Sequence, residues 1–259
     1  MESGDKLENR TKTSPHKSRT IVGLAIALAV IIVLGAVGFR LITPSSSSST
    51  STVVTLPASS SSVFDTSSGS SSSFDLVSSL LSGSPPTLGS ANASVTIVEF
   101  GDYQCPTCGA WYNSQEALLI QNLVNTGKAK LVWRDFDYFG PDSVSASEAA
   151  YAAGEQGKFW RFHDLLFQSQ ATPNNGWASR QNMDKFAQQL GLNMTRFNAS
   201  FNSGKYDSLI NSNHSLGVQA GVTGTPTFFL IGPNGKVITI AGGQPESVFE
   251  QAVASLTGE

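Results

Sequence analysis

The sequence predicts a mixed α/β sheet with a helical insertion, carried behind one membrane helix and a serine-rich stalk. Three observations predict it. Residues 21–39 carry no charge, residues 45–90 contain 21 serines, and from residue 94 onward the hydrophobic pattern changes repeatedly between strand-like and helix-like periods. Of the 259 residues, roughly 170 are left for a packed globule, enough for one core of moderate size.

The uncharged run at 21–39 would span roughly 28 Å as a helix, close to the hydrocarbon core of a bilayer. Lys6, Arg10, Lys12, Lys17 and Arg19 precede it, Arg40 closes it, and the next basic residue is Lys128. This asymmetry predicts a cytoplasmic basic segment over 1–20, a transmembrane helix over 21–43 and an extracytoplasmic remainder. The run exceeds the ~7–15 residue apolar region of a cleaved signal peptide, and no clear small-x-small cleavage site precedes Arg40, so a retained anchor is expected. Residues 44–89 read as a disordered stalk with too few large apolar residues to bury a core. Its Leu-Val-Ser-Ser-Leu-Leu stretch at 76–81 is read as linker rather than as a helical turn. Asn92, Asn193, Asn198 and Asn213 each head an Asn-x-Ser/Thr sequon, and the sequence does not decide their use.

The globule is expected over 90–259. The β-branched run at 95–100 predicts a buried strand, and the helix-spaced Trp111, Leu118, Leu119 and Leu123 predict a helix over 106–124. A second strand fits 129–134. Helices follow around 145–167, 179–190, 194–203 and 206–220, broken by Pro-Asn-Asn-Gly at 173–176 and by Gly191 and Gly204. Strands at 227–231 and 237–240, joined by the turn residues at 233–235, and a helix over 245–256 close the chain. The β-α-β, helical block, β-β-α order suits a mixed sheet with an insertion.

Net charge is −3, and the ten basic residues between 128 and 236 are scattered among acids, so a phosphate-neutralising surface is excluded and no nucleic-acid partner is expected. The chain's two cysteines, Cys105 and Cys108, stand in one Cys-Pro-Thr-Cys run, which excludes a multi-disulfide framework. Placed between a strand and a helix, with Pro106 at the first helical position, Cys105 becomes the N-cap and the N–H groups of Thr107 and Cys108 point back at its sulfur. Such a position lowers a thiol pKa from about 8.5 into the range ~3.5–7.5, which predicts Cys105 as attacking and leaving sulfur and Cys108 as the resolving one. The alternatives are half of a zinc site completed by His163 and His214, and a purely structural disulfide. Neither histidine lies in a ligand-spaced pair, and so short a ring constrains the unfolded chain little. Glu99, six residues before Cys105, faces either the core, where burial would raise its pKa and suit it to relay protons to Cys108, or solvent. Gly-Val-Thr-Gly-Thr-Pro at 221–226 precedes a strand at a place compatible with a cis X-Pro bond.

Val-Glu-Phe-Gly-Asp-Tyr-Gln-Cys-Pro-Thr-Cys at 98–108, with Gly-Thr-Pro at 224–226, resembles the DsbA-like branch of the thioredoxin superfamily over residues 90–257. The resemblance implies a thioredoxin fold with a helical insertion and a thiol:disulfide oxidoreductase with no cofactor or metal beyond the redox-active Cys105–Cys108 disulfide. It implies Cys105 as nucleophile, Cys108 as resolving thiol, Glu99 as buried acid and a cis Pro226 beside the pair. Thr225 would offer backbone hydrogen bonds to an extended client strand, and Tyr103, Gln104, Pro106 and Thr107 would shape the rim. The implied partners are exported proteins with free thiols and a membrane redox partner, quinone-linked in the family, that reoxidises the pair. The strongest oxidant of the family has a histidine between its cysteines where this chain has Pro-Thr, so a less oxidising potential is expected. An extracytoplasmic domain favours net oxidation. The rival readings are a reductase or isomerase kept reduced across the membrane, and a Cu(I)-binding module using the two thiolates.

Overall fold

The computed structural model describes residues 76–258. The expected basic segment, the membrane helix over 21–43 and the stalk up to residue 75 lie outside the described residues. No helix among the described residues is long and apolar enough to cross a membrane.

Five strands form one sheet: β1 (Thr87–Leu88), β2 (Val95–Gly101), β3 (Ala129–Asp135), β4 (Thr227–Ile231) and β5 (Val237–Ala241), in the order β1-β3-β2-β4-β5. β2 and β3 run parallel, and every other pairing is antiparallel. A parallel pair needs a crossover, which α2 (residues 106–124) supplies, with Pro106–Trp111 α-helical and two π-helical segments, Tyr112–Glu116 and Ile120–Val124, further along. Between β3 and β4 stand α3 (Pro141–Gly154), α4 (Phe159–Gln168), α5 (Arg180–Gln189), α6 (Met194–Phe201) and α7 (Asp207–Gln219), and α8 (Glu246–Thr257) ends the chain. The single helix expected over 145–167 is two, because Gly157 adopts φ +70 in the break between them.

Period-two alternation divides β2 between two cores. Val95 and Ile97 enter the larger one with Trp133, Phe228 and Leu230, under α2 and α8, whereas Val98 and Phe100 enter a smaller one with Val132 and Phe229 on the other face. Glu99 has the parity of Ile97 and pairs in register with Trp133 on one side and Phe228 on the other.

The stalk reading is corrected at its end. Residues 76–81 form a helix, α1, with Leu80 fully buried in the smaller core, and β1 pairs with β3. Arg134 fixes this segment by donating from Nη2 to the carbonyl oxygens of Leu80, at 2.9 Å, and Ser82. The folded domain therefore includes residues 76–89, because leucines at 76, 80 and 88 find apolar partners that the serine-rich composition conceals. Asn213, the last of the four sequons, is buried and bonded to Arg134, Asp135 and Tyr151, so its amide serves the core.

Candidate active site

The chain leaves β2 through Gly101 and Asp102 and enters α2 at Cys105. Asp102 shapes this corner: its Oδ1 accepts the N–H of Gln104 at 2.8 Å, and its Oδ2 accepts those of Tyr138 and Phe139 from the loop after β3. Cys105 takes the N-cap position in extended conformation (φ −69, ψ 118) with Pro106 in the first turn, where a missing N–H leaves no bond unmade.

Both thiols are buried, Cys105 at 3% exposure and Cys108 at 1%, and their acidities are pushed in opposite directions. Cys105 is lowered to about 6, first by its hydrogen bond with the Cys108 thiol and then, against the cost of burial, by Thr225 and the backbone N–H groups of Cys108 and Thr107. Cys108, one turn inward, is pushed well up by burial, then by the hydrogen bond and charge of Cys105 and by the charge of Glu99. The Thr225–Pro226 bond is cis, and the Thr225 carbonyl oxygen accepts from Cys105 Sγ at 3.3 Å. Pro106 and Thr107 are exposed beside the pair.

Glu99 lies in the core at 2% exposure, its carboxyl pushed well above the usual range by burial and by the charge of Glu116. Its Oε2 has no hydrogen-bond partner. Tyr103 and Gln104, expected at the rim, are instead fully buried. Tyr103 packs on Trp133 with ring centroids 4.8 Å apart, and Gln104 Nε2 donates to Ser143 Oγ at 3.0 Å, tying the insertion to the site. The rim position that Tyr103 and Gln104 leave is taken by Tyr138, 53% exposed. Its phenol is raised by partial burial and then by the charges of Cys105, Asp102 and Cys108.

Three residues near the pair escape the sequence. Tyr138 follows a strand with no local mark of its role. Gln170, just past α4, donates from Nε2 to the carbonyl oxygens of Tyr103 and Cys105 at 2.7 and 3.0 Å. Glu116 shares the buried face of α2 with Leu119 and Leu123, a spacing that places it inward once the helix phase is fixed. His163 is fully buried on α4, with Nδ1 3.1 Å from the Tyr103 hydroxyl, and His214 stacks on Phe136. Among the described residues, no group of three or more His, Cys, Asp or Glu is set to hold a metal ion.

The family model described as Thioredoxin matches residues 82–242. The probable disulfide bond formation protein D of Bacillus anthracis is 26% identical over 151 residues, covering 56% of this chain and 69% of its own length. Na(+)/H(+) antiporter NhaA 3 of Salinispora tropica is 28% identical over 230 residues, covering 82% of this chain, which spans 34% of that antiporter's length. Among solved structures, the thiol-disulfide exchange protein alpha-DsbA2 of Wolbachia pipientis superimposes with TM-score 0.59 at 26% identity, covering 71% of this chain and 92% of its own.

Proposed function

The chain belongs to the thioredoxin family, and on that premise we propose that it is a DsbA-type thiol:disulfide oxidoreductase that donates the Cys105–Cys108 disulfide to exported proteins. One observation carries this reading: two thiols a helical turn apart, the outer lowered to about 6 and the inner raised by burial, beside the Thr225 carbonyl. A nucleophile that is also a good leaving group must be acidic, whereas a resolving thiol held protonated does not compete with it.

In the forward direction a client thiolate bonds to Cys105 Sγ, the Cys105–Cys108 bond breaks, and Cys108 leaves with the electron pair. Glu99 supplies the proton that converts it to a thiol. A second client thiolate then attacks the client sulfur of the mixed disulfide, and Cys105 departs as a stabilised thiolate. The client loses two electrons and the pair gains them. Thr225 is suited to hold the client in extended form by backbone hydrogen bonds, with Pro106 and Thr107 lining the approach. A membrane redox partner would reoxidise the dithiol, and the span over 21–43 would hold the domain on the extracytoplasmic side.

Cys105→Ser is expected to abolish turnover, and Cys108→Ser to accumulate mixed disulfides with reduced client proteins on non-reducing gels. Turnover retained by both variants would contradict the mechanism.

A further inference from the structure

Behind Cys108 lies a buried polar cluster, and the role assigned to it rests on the thiol-exchange chemistry proposed for the pair. Glu99 projects from β2 and Glu116 from α2 into the same core, each 2% exposed. Glu116 Oε2 lies 3.7 Å from Nε2 of His163, within reach of charge attraction and beyond a hydrogen bond. The other ring nitrogen of His163 faces the Tyr103 hydroxyl at 3.1 Å. Trp133, Phe167 and Trp160 close around the imidazole at centroid distances of 4.8, 5.0 and 5.1 Å.

Two carboxyls in one apolar core do not both ionise, because burial penalises each charge and the like charge adds to it. Their partners differ. Glu116 faces an imidazole, whereas Glu99 sits between Trp133 and Phe228 with an unpartnered oxygen. We propose that Glu116, held against His163, is a positioning residue that keeps a proton on Glu99, so that Glu99 is a loaded acid when Cys108 leaves.

The remaining polar neighbours fit this assignment. α2 contributes Cys105, Cys108 and Tyr112, whose hydroxyl donates to Asp164 of α4 at 3.1 Å. β3 contributes Asp135, which accepts from Trp133 Nε1 and the Tyr151 hydroxyl, and Asp137 beyond it adds its charge around Tyr103. β4 presents Phe228 and α8 presents Phe249, while Glu246 at the start of α8 accepts from Asn122. The charge of Glu116, after burial, raises the Glu99 carboxyl, in the sense the proposal requires.

During donation the client sulfur bonds to Cys105, the electron pair of the broken S–S bond goes to Cys108 Sγ, and the Glu99 proton follows it. During reoxidation Cys108 returns that proton to Glu99 as its sulfur attacks Cys105 in the mixed disulfide with the redox partner, whose thiolate departs with the electron pair. The proton stays in the site through the cycle.

The test uses the full chain and the infrared carboxylic-acid band of Glu99, assigned by difference from Glu99→Gln, with the pH profile of single-turnover reduction by a small thiol. Wild type is expected to show the band at neutral pH. In Glu116→Gln its titration midpoint and the alkaline limb of the rate profile should both move down by about one unit. Glu116→Met, which removes the same carboxyl with no buried amide in its place, should move both in the same direction and serves if the first variant does not fold. Absence of the wild-type band at neutral pH, or an unchanged midpoint and limb in a folded variant, would overturn the proposal. A wild-type chain that shows the band but exchanges no thiols would overturn the functional reading and leave the carboxyl pair standing.

Discussion

One helical turn separates two sulfurs of opposite acidity, and the cause is local: Cys105 is lowered first by the hydrogen bond from the Cys108 thiol, with Thr225 and the N–H groups of Cys108 and Thr107 adding to it, and Cys108 is raised first by burial. Alkylation of the reduced chain by iodoacetamide should rise with a midpoint at about 6 at Cys105, with Cys108 unreactive until far higher pH. A midpoint near ~8.5, the value of a free cysteine, would contradict this account of the thiol pair. The linked stabilities have opposite signs. Between about 6 and the free-cysteine value of ~8.5 the folded dithiol binds fewer protons at Cys105 than the unfolded chain does, so this thiol adds stability as pH rises. Glu99 is raised, so its contribution falls as pH rises from the unfolded carboxylate value toward the folded one. Glu99→Gln removes that fall, and its denaturation midpoint should depend less on pH across the neutral range than that of wild type. The same variant should slow turnover more than it changes stability, and a rate–pH profile identical to wild type would remove Glu99 from proton transfer.

The elements that carry the site are those whose local pattern is strongest. The β-branched run of β2, the proline at the start of α2 and the turn before β5 were all legible, whereas the pattern left Glu99 between core and solvent until its register with Trp133 and Phe228 placed it. What stayed hidden depends on partners distant in sequence. Leu80 is one leucine in a serine-rich stretch until Val98, Phe100, Val132 and Phe229 are placed beneath it, and His163 reaches Glu116 and Tyr103 only after the insertion folds back on the sheet. Gly101 illustrates the same point: a Cβ there would collide with the Trp133 ring, a constraint only the paired strands create. Leu80→Ala should cost about 2–5 kcal/mol in chemical denaturation. A loss within ~0.5 kcal/mol, as expected of an exposed surface position, would return residues 76–81 to the stalk.

At the scale of the molecule, the parallel strands β2 and β3 end on the same side of the sheet, and the loops leaving them bring Cys105 and Tyr138 together, while the loop before β4 adds Thr225 and Pro226. An open sheet commonly presents its site at such strand ends. The thioredoxin scaffold serves oxidants and reductants alike, with reduction potentials from about −120 mV for DsbA to about −270 mV for thioredoxin, so direction is the central claim that fold alone leaves open. The most direct measurement is the reduction potential of the full chain, equilibrated with glutathione buffers. It is read from the fluorescence of Trp111, which packs on Phe228 beside the pair, and checked by alkylation. A value above roughly −180 mV is the result predicted for a donor of disulfides to exported proteins. A value near about −270 mV would contradict it and make the domain a reductase or isomerase.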